Sequence, residues 1–110
     1  MIDINQDHFG TVKQILARYV PDYEVRAFGS RVIGTAKDYS DLDLVIVGQQ
    51  AVNHDCFRRL KEAFEESELP FRVDLLDWNY ISPSFQQVIE KQYEVIQNTS
   101  KSIIGSLRSK

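Results

Sequence analysis

The sequence predicts one small α/β domain of the α+β kind, in which a small mixed sheet carries helices packed mainly on one face. Three observations predict it. Apolar residues recur at helical spacing in three segments, strand-like apolar runs lie between these segments, and Gly or Pro separates them. A chain of 110 residues is long enough for one such domain and too short for two.

The first half of the chain predicts a helix and two strands. Apolar residues repeat every three or four positions over 7–19, and Pro21 ends that pattern, which predicts a helix. Residues 23–28 alternate in polarity between Pro21 and Gly29, as a strand does. The run 41–47 is the strongest strand signal in the chain. A turn or short helix is expected between these two strands.

The second half predicts two more helices around a third strand. Asn53 is a suitable cap for a helix that ends before Pro70, and 71–76 is rich in apolar and β-favouring residues. Ser82, followed by proline at the first helical position, opens a last helix whose apolar pattern runs to Ile96. The predicted order is therefore helix, strand, turn or helix, strand, helix, strand, helix.

The charge distribution divides the chain. Residues 101–110 contain three basic residues and no acid. The net charge of the whole chain is −3, so the first 100 residues carry a charge of −6. We predict a single domain over 1–100 and a flexible basic tail over 101–110. An acidic body neutralises few phosphates, which argues against direct nucleic-acid binding. It can still bind a nucleoside triphosphate if a divalent metal lies between the two sets of negative charge.

Other features of composition point to a soluble protein of the cytoplasm. The single cysteine, Cys56, allows no internal disulfide, which favours a reducing compartment. No apolar run approaches 18 residues, and the first residues do not resemble a signal peptide, so no membrane span is expected. So small a domain has little surface to enclose a substrate, which leaves a homo- or hetero-oligomer possible.

Asp41 and Asp43 are the first candidates for chemistry. Side chains alternate along a strand, so both carboxylates point to one face, with Leu42 and Leu44 on the other. Two neighbouring carboxylates repel each other and resist burial. Such a pair is found either in water or around a cation, and Mg²⁺ is commonly held by one or two carboxylates together with substrate phosphates.

Residues 29–31, Gly-Ser-Arg, follow the first predicted strand and open a turn. Glycine permits close approach of the backbone to a phosphate, and the N–H groups of a following helical turn can face an anion. Arg31 can neutralise a phosphate or bind it in bidentate fashion. We therefore take Gly29, Ser30 and Arg31 as candidate nucleotide-binding residues.

Asp74 lies inside the otherwise apolar third strand, where a carboxylate is unfavourable without a partner. If this strand neighbours the Asp41–Asp43 strand, Asp74 completes a triad of metal ligands. The alternative is an ion pair with Arg72 or another arginine. Three carboxylates beside a phosphate-binding turn predict magnesium-dependent nucleotidyl transfer. In a two-metal site, all three aspartates would hold metal, and Asp74 would also receive the proton of the acceptor hydroxyl.

These motifs together resemble the signature of the DNA polymerase β-like nucleotidyltransferase superfamily: Gly29-Ser30, ten residues, Asp41-Leu42-Asp43, then Asp74. The stretch 28–44 is similar to the minimal nucleotidyltransferase (MNT) proteins of prokaryotes, and the likeness extends over about 7–98. The resemblance implies a polymerase β-like palm. It assigns the phosphate turn to Gly29 and Ser30 and the metal-binding carboxylates to the three aspartates.

The resemblance also implies a biological role. MNT proteins are commonly encoded beside a HEPN-domain toxin, and act as antitoxins that transfer AMP from ATP to a tyrosine of that partner. One departure is that Val32-Ile33 stands where many members have a second basic residue; Lys37 and Arg72 are the candidates to replace it. Two alternatives stay open: an antitoxin that neutralises its partner by binding alone, and an aminoglycoside-type small-molecule nucleotidyltransferase.

Overall fold

The computed structural model describes residues 2–98, which form a four-stranded mixed sheet with helices. The elements in chain order are α1 (Gln6–Tyr19), β1 (Glu24–Phe28), α2 (Ser30–Ile33), β2 (Leu42–Val47), α3 (His54–Glu65), β3 (Val73–Asp77), a 3₁₀ turn (Trp78–Tyr80), α4 (Pro83–Lys91) and β4 (Glu94–Gln97). The strand order is β3-β2-β1-β4. The predicted mixed sheet with packed helices is confirmed.

The sheet combines both kinds of strand pairing. β1 runs antiparallel to β2 and to β4, whereas β2 and β3 are parallel and are joined through α3. The end of β1 and the starts of β2 and β3 consequently lie side by side, at the same end of these three adjacent strands. The three segments that carry the candidate site residues are therefore neighbours.

One face of the sheet carries the main core. Val12 and Leu16 of α1 and Leu60 and Phe64 of α3 are buried in one cluster with the sheet residues Val25, Ala27, Leu42, Leu44, Ile46, Leu75 and Ile96. Both helices begin at an asparagine cap, of which the sequence analysis predicted only Asn53. Asn5 accepts backbone N–H bonds at the start of α1, and Asn53 does the same for α3.

The second face is more open and more polar. Val45 and Ile89 are fully buried but lie outside the main cluster. Arg26 of β1 packs between aromatic rings, 5.2 Å from the centre of Trp78 and 4.4 Å from that of Tyr93. By strand alternation this face also carries Asp43, so the candidate carboxylates lie on the sparsely covered side of the sheet.

The last helix is shorter than predicted. It begins after the Ser82 cap as expected but ends at Lys91, and residues 94–97 form a fourth strand on β1. The prediction of a helical pattern through Ile96 is wrong, because the pairing of these residues with β1 outweighs their local periodicity. The predicted tail at 101–110 lies outside the described residues. Within 2–98, no helix is both long and apolar enough to cross a membrane.

Candidate active site

The turn after β1 is built on a glycine backbone. Gly29 has φ 79° and ψ −157°, a conformation open essentially to glycine alone, and it caps the N-terminus of α2. The N–H groups of Val32 and Ile33 both donate to the Gly29 carbonyl, at 2.9 and 3.0 Å. Gly34, in the left-handed conformation, ends α2 after a single turn. Ser30 is thus the first residue of a one-turn helix at the edge of the sheet.

The strand register places the candidate residues in a row. Phe28 is paired with Asp43 across β1 and β2, and Asp43 is paired with Asp74 across β2 and β3. Asp43 therefore has the Gly29 turn on one side and Asp74 on the other. Its Oδ2 atom lies so close to Gly29 that any Cβ there would overlap it. The structure brings the predicted turn and these two carboxylates together at one edge.

The carboxylates influence one another electrostatically. The pKa of Asp43 is raised above its ordinary value, first by partial burial and then by the negative charges of Asp74 and Asp41. Arg72 acts in the opposite direction. Asp43 is half-buried and Asp74 is exposed, so both can be reached from solvent. A cation bound here would relieve the repulsion that this arrangement creates.

Arg72 pairs with a different acid from the one considered in the sequence. Its Nη2 lies 3.2 Å from Oδ2 of Asp41, not against Asp74 on its own strand. The two side chains are 71% and 43% exposed, so the pair is solvated and contributes at most about 1 kcal/mol. A ligand of Asp41 therefore has only a weak competitor to displace.

The three aspartates fit Mg²⁺ by donor type, because they supply carboxylate oxygens at one accessible edge. Their side chains do not converge as they stand: within residues 2–98, no three His, Cys, Asp or Glu groups are placed to hold one metal ion together. Asp43 is turned against Gly29, and Asp41 against Arg72. Metal binding would therefore require at least a rotation of these side chains.

Arg31 occupies a different environment from the predicted one. It is only 5% exposed, and its guanidinium donates to the backbone carbonyls of Asp3, Asp38 and Ser40 over 2.8–3.1 Å. It also lies 4.3 Å from the ring centre of Phe71. A phosphate would have to replace these buried hydrogen bonds. The structure gives Arg31 a supporting position beneath the turn, and its predicted contact with phosphate stays a prediction.

A pair of aromatic rings next to Asp43 was not predicted as part of the site. Phe28, the register partner of Asp43, meets Phe85 of α4 edge to face, with ring centres 5.9 Å apart. The sequence placed Phe85 among the apolar positions of its helix but contained no signal that this helix packs beside the site. The contact joins α4 to β1, the strand that leads into the Gly29 turn.

A glycine turn on one side of an aspartate pair, with a third carboxylate on the other, is typical of nucleotidyltransferases. A comparison with protein families agrees: residues 10–101 match the family described as the nucleotidyltransferase domain. The match covers most of the chain. The chain belongs to the nucleotidyltransferase family and is an enzyme of that class.

The similarity to one relative indicates which group within the nucleotidyltransferase family the chain resembles. Over 102 residues the chain is 52% identical to the "Probable protein adenylyltransferase MntA" of Haemophilus influenzae, covering 93% of this chain and 90% of the relative. This similarity confirms the resemblance to MNT proteins that the Gly-Ser and Asp-Leu-Asp motifs indicated.

Solved structures share the fold. One is a toxin–antitoxin crystal structure with AMP-PNP, with a TM-score of 0.69 and 22% identity over 86% of this chain and 76% of the other. Another contains a tri-AMPylated Shewanella oneidensis HEPN toxin in complex with an MNT antitoxin, with a TM-score of 0.65 and 20% identity over 90% and 76%. At this identity the likeness supports the predicted palm.

Proposed function

We propose that this nucleotidyltransferase is a magnesium-dependent antitoxin of the cytoplasm that transfers AMP from ATP to a tyrosine of a HEPN-domain partner toxin. The observation that carries the proposal is the row formed by the Gly29 turn, Asp43 and Asp74 across three adjacent strands. The 52% identical relative is named a probable protein adenylyltransferase, and the structures of similar fold include an AMPylated HEPN toxin with its MNT antitoxin.

Each part of this row has a separate role in the proposed reaction. The turn at Gly29 and Ser30 would receive the phosphates of ATP, because its backbone permits close approach and α2 begins there. Asp41, Asp43 and Asp74 would hold Mg²⁺. When bound, this metal supplies neutralisation of the triphosphate and of the charge that develops during transfer. Arg31 supports the turn from beneath instead of contacting nucleotide.

The transfer exchanges one phosphorus–oxygen bond for another. The phenolic oxygen of the acceptor tyrosine bonds to the α-phosphorus of ATP, and the bond from that phosphorus to its β-bridging oxygen breaks, so pyrophosphate leaves. Asp74, exposed at the side away from the turn, would accept the phenolic proton. The chain contributes mainly by positioning these groups and by complementary charge.

Labelled ATP tests this proposal. The purified chain is mixed with the HEPN-domain protein encoded beside it, Mg²⁺ and ATP labelled at the α-phosphate. We expect Asp41→Asn and Asp43→Asn each to reduce labelling of the partner by about 100-fold or more, as for loss of a main electrostatic group. Asp22→Asn, an exposed acid outside the site, is the matched control and should label normally. Wild-type labelling rates in both site variants would contradict the proposal.

One observation favours a second candidate, an antitoxin that works by binding alone. The acidic side chains do not converge on a common metal position within the described residues. In that case Asp41→Asn and Asp43→Asn would still protect cells that express the toxin, although neither transfers AMP. Loss of both protection and labelling in the same variants would exclude binding as the sole mechanism.

A further inference from the structure

Among residues 2–98, no strand pairs with the outer edge of β3, which lies next to the candidate site. β3 is an end strand of the sheet, and the N–H of Leu42 donates to the carbonyl of Arg72 at 2.9 Å. The backbone groups of Arg72 and Asp74 therefore face β2, and those of Val73 and Leu75 face outward, because direction alternates along a strand. An outward row of donors and acceptors is a template for another extended segment.

A cleft of about 400 Å³ runs along this edge. One wall is formed by Lys61, Phe64 and Glu65 of α3, and the other by residues 71–75. Arg72 and Asp74 line the cleft and also belong to the candidate site, so the two are continuous. The lining combines apolar side chains with charges of both signs, and more of its surface is polar than apolar. Such a mixed lining suits a polypeptide better than a compact polyanion.

The cleft also lies where an acceptor must arrive. The phosphate turn is on the β1 side of Asp43, and the cleft is on the β3 side, beyond Asp74. A displacement at phosphorus needs the attacking oxygen opposite the leaving pyrophosphate. With the triphosphate at the turn, a hydroxyl that enters along β3 approaches from the opposite side.

We propose that the β3 edge binds the acceptor protein itself, as an extended segment that adds a strand beside Val73 and Leu75 and places its tyrosine next to Asp74. This proposal rests on the proposed function, whose acceptor is a protein tyrosine. Main-chain hydrogen bonds provide the attachment, and alternate side chains of the segment point to opposite faces of the sheet. Five residues of β3 span about 16 Å, which is long enough for a segment of about five residues.

Amide hydrogen exchange tests this docking without any turnover. The partner is used with its acceptor tyrosine, mapped by mass spectrometry, changed to phenylalanine. We expect the outward amides of Val73 and Leu75 to exchange at least about 10-fold more slowly in the complex. The amides of β4, the other edge strand, are the internal control and should be unchanged. Unchanged rates at Val73 and Leu75 in a formed complex would overturn the proposal.

Two other occupants of the edge give different exchange results, and either result overturns the proposal. Protection that appears without the partner and increases with protein concentration assigns the edge to a second copy of this chain. Protection without the partner that is independent of concentration and disappears when the chain is cut after Asn98 assigns it to residues 99–110. Protection that depends on the partner supports the proposal.

A substitution in the cleft wall separates docking from nucleotide chemistry. Glu65→Trp narrows the cleft, and Glu66→Trp puts the same side chain on the neighbouring exposed position, which does not line the cleft. We expect Glu65→Trp alone to lower kcat/KM for the partner about 10-fold through KM, with ATP affinity unchanged. Equal values for the two variants would contradict the proposal.

The proposed function and the docking site fail separately. If the wild-type chain labels no partner, the proposed function fails, while the exchange experiment still reports whether the partner occupies β3. If labelling is normal but Val73 and Leu75 stay unprotected, the proposed function stands and the β3 docking site is wrong.

Discussion

Gly29 and Asp43 approach each other so closely that a side chain at position 29 would displace the Asp43 carboxylate. An added Cβ would overlap Oδ2 of Asp43, and the backbone at φ 79° and ψ −157° is strained for any other residue. We expect Gly29→Ala to lower the free energy of unfolding by about 1–3 kcal/mol. We also expect it to displace the Asp43 carboxylate and so to reduce AMP transfer per folded molecule. Chemical denaturation and the labelling assay measure the two effects.

Gly34→Ala is the matched control for backbone strain. Gly34 also has positive φ, 88°, but a Cβ added to it would have no other atom within 4 Å. The variant should be destabilised by about 1–2 kcal/mol, since left-handed backbone is unfavourable for alanine, and should keep its activity per folded molecule. If the two variants lose the same activity, strain alone accounts for the effect and the close approach to Asp43 does not matter.

We expect the Asp43 carboxylate to lower the free energy of unfolding. Its pKa is raised by burial and by Asp74 and Asp41, so the folded chain resists its ionisation. We expect Asp43→Asn to increase the free energy of unfolding at neutral pH by at most about 1 kcal/mol, because solvent screens the repulsion at this half-exposed site. Thermal or urea unfolding without Mg²⁺ measures the gain.

The dependence on pH has a defined sign. A carboxyl whose pKa is higher in the folded state destabilises that state fully above its folded pKa, and not at all below its unfolded value, near 3.8. The advantage of Asp43→Asn should therefore shrink as pH falls towards 3.8. Asp22→Asn, at an exposed position outside the site, should show no comparable gain. An equal gain in both variants would contradict a local cause.

Among the elements, Arg31 connects three separate segments of the chain. From α2 it reaches the backbone before α1 at Asp3 and the segment that leads into β2 at Asp38 and Ser40. Ser40 immediately precedes Asp41. One buried guanidinium thus fixes the phosphate turn relative to the start of the strand that carries the aspartate pair, because its planar fork can satisfy several carbonyls at once.

Substitution of Arg31 distinguishes support from nucleotide contact. Arg31→Ala leaves buried carbonyls without donors, and we expect a loss of about 2–4 kcal/mol in unfolding free energy. Arg31→Lys should recover part of that stability while ATP affinity of the folded protein stays near wild type. If Arg31 contacted phosphate, both variants would lose ATP affinity more than stability. Denaturation and nucleotide titration on the same samples decide between these outcomes.

The elements that were predictable have local causes. Asn53 and Ser82 cap their helices as expected, and the alternation around Asp41 and Asp43 places the pair on one face of β2. The fourth strand was not predictable, because 94–97 becomes a strand only by pairing with β1. The burial of Arg31 was also hidden, since its partners are backbone carbonyls supplied by the tertiary fold.

At the scale of the molecule, the buried apolar residues within 2–98 extend from Ile2 to Ile96. Two kinds of contact attach β4, the last described strand, to the domain. It pairs with β1, and the Gln97 side chain donates to the carbonyls of Val20 and Tyr23 at 2.8 and 2.9 Å. These contacts join β4 to the rest of the described domain, and the boundary between a domain at 1–100 and a tail at 101–110 stays a prediction.

A chain cut after Ser100 tests that boundary. We expect one cooperative thermal transition with Tm within about 4–8 °C of the full chain, the shift that corresponds to about 1 kcal/mol in a domain of this size. ATP binding should persist, because the phosphate turn and all three aspartates lie before the cut. Removal of three basic residues makes the remaining chain more acidic, so any loss of ATP affinity should disappear at high salt, as expected for long-range charge alone. A broad transition, or a salt-independent loss of ATP binding, would show that the last ten residues belong to the domain.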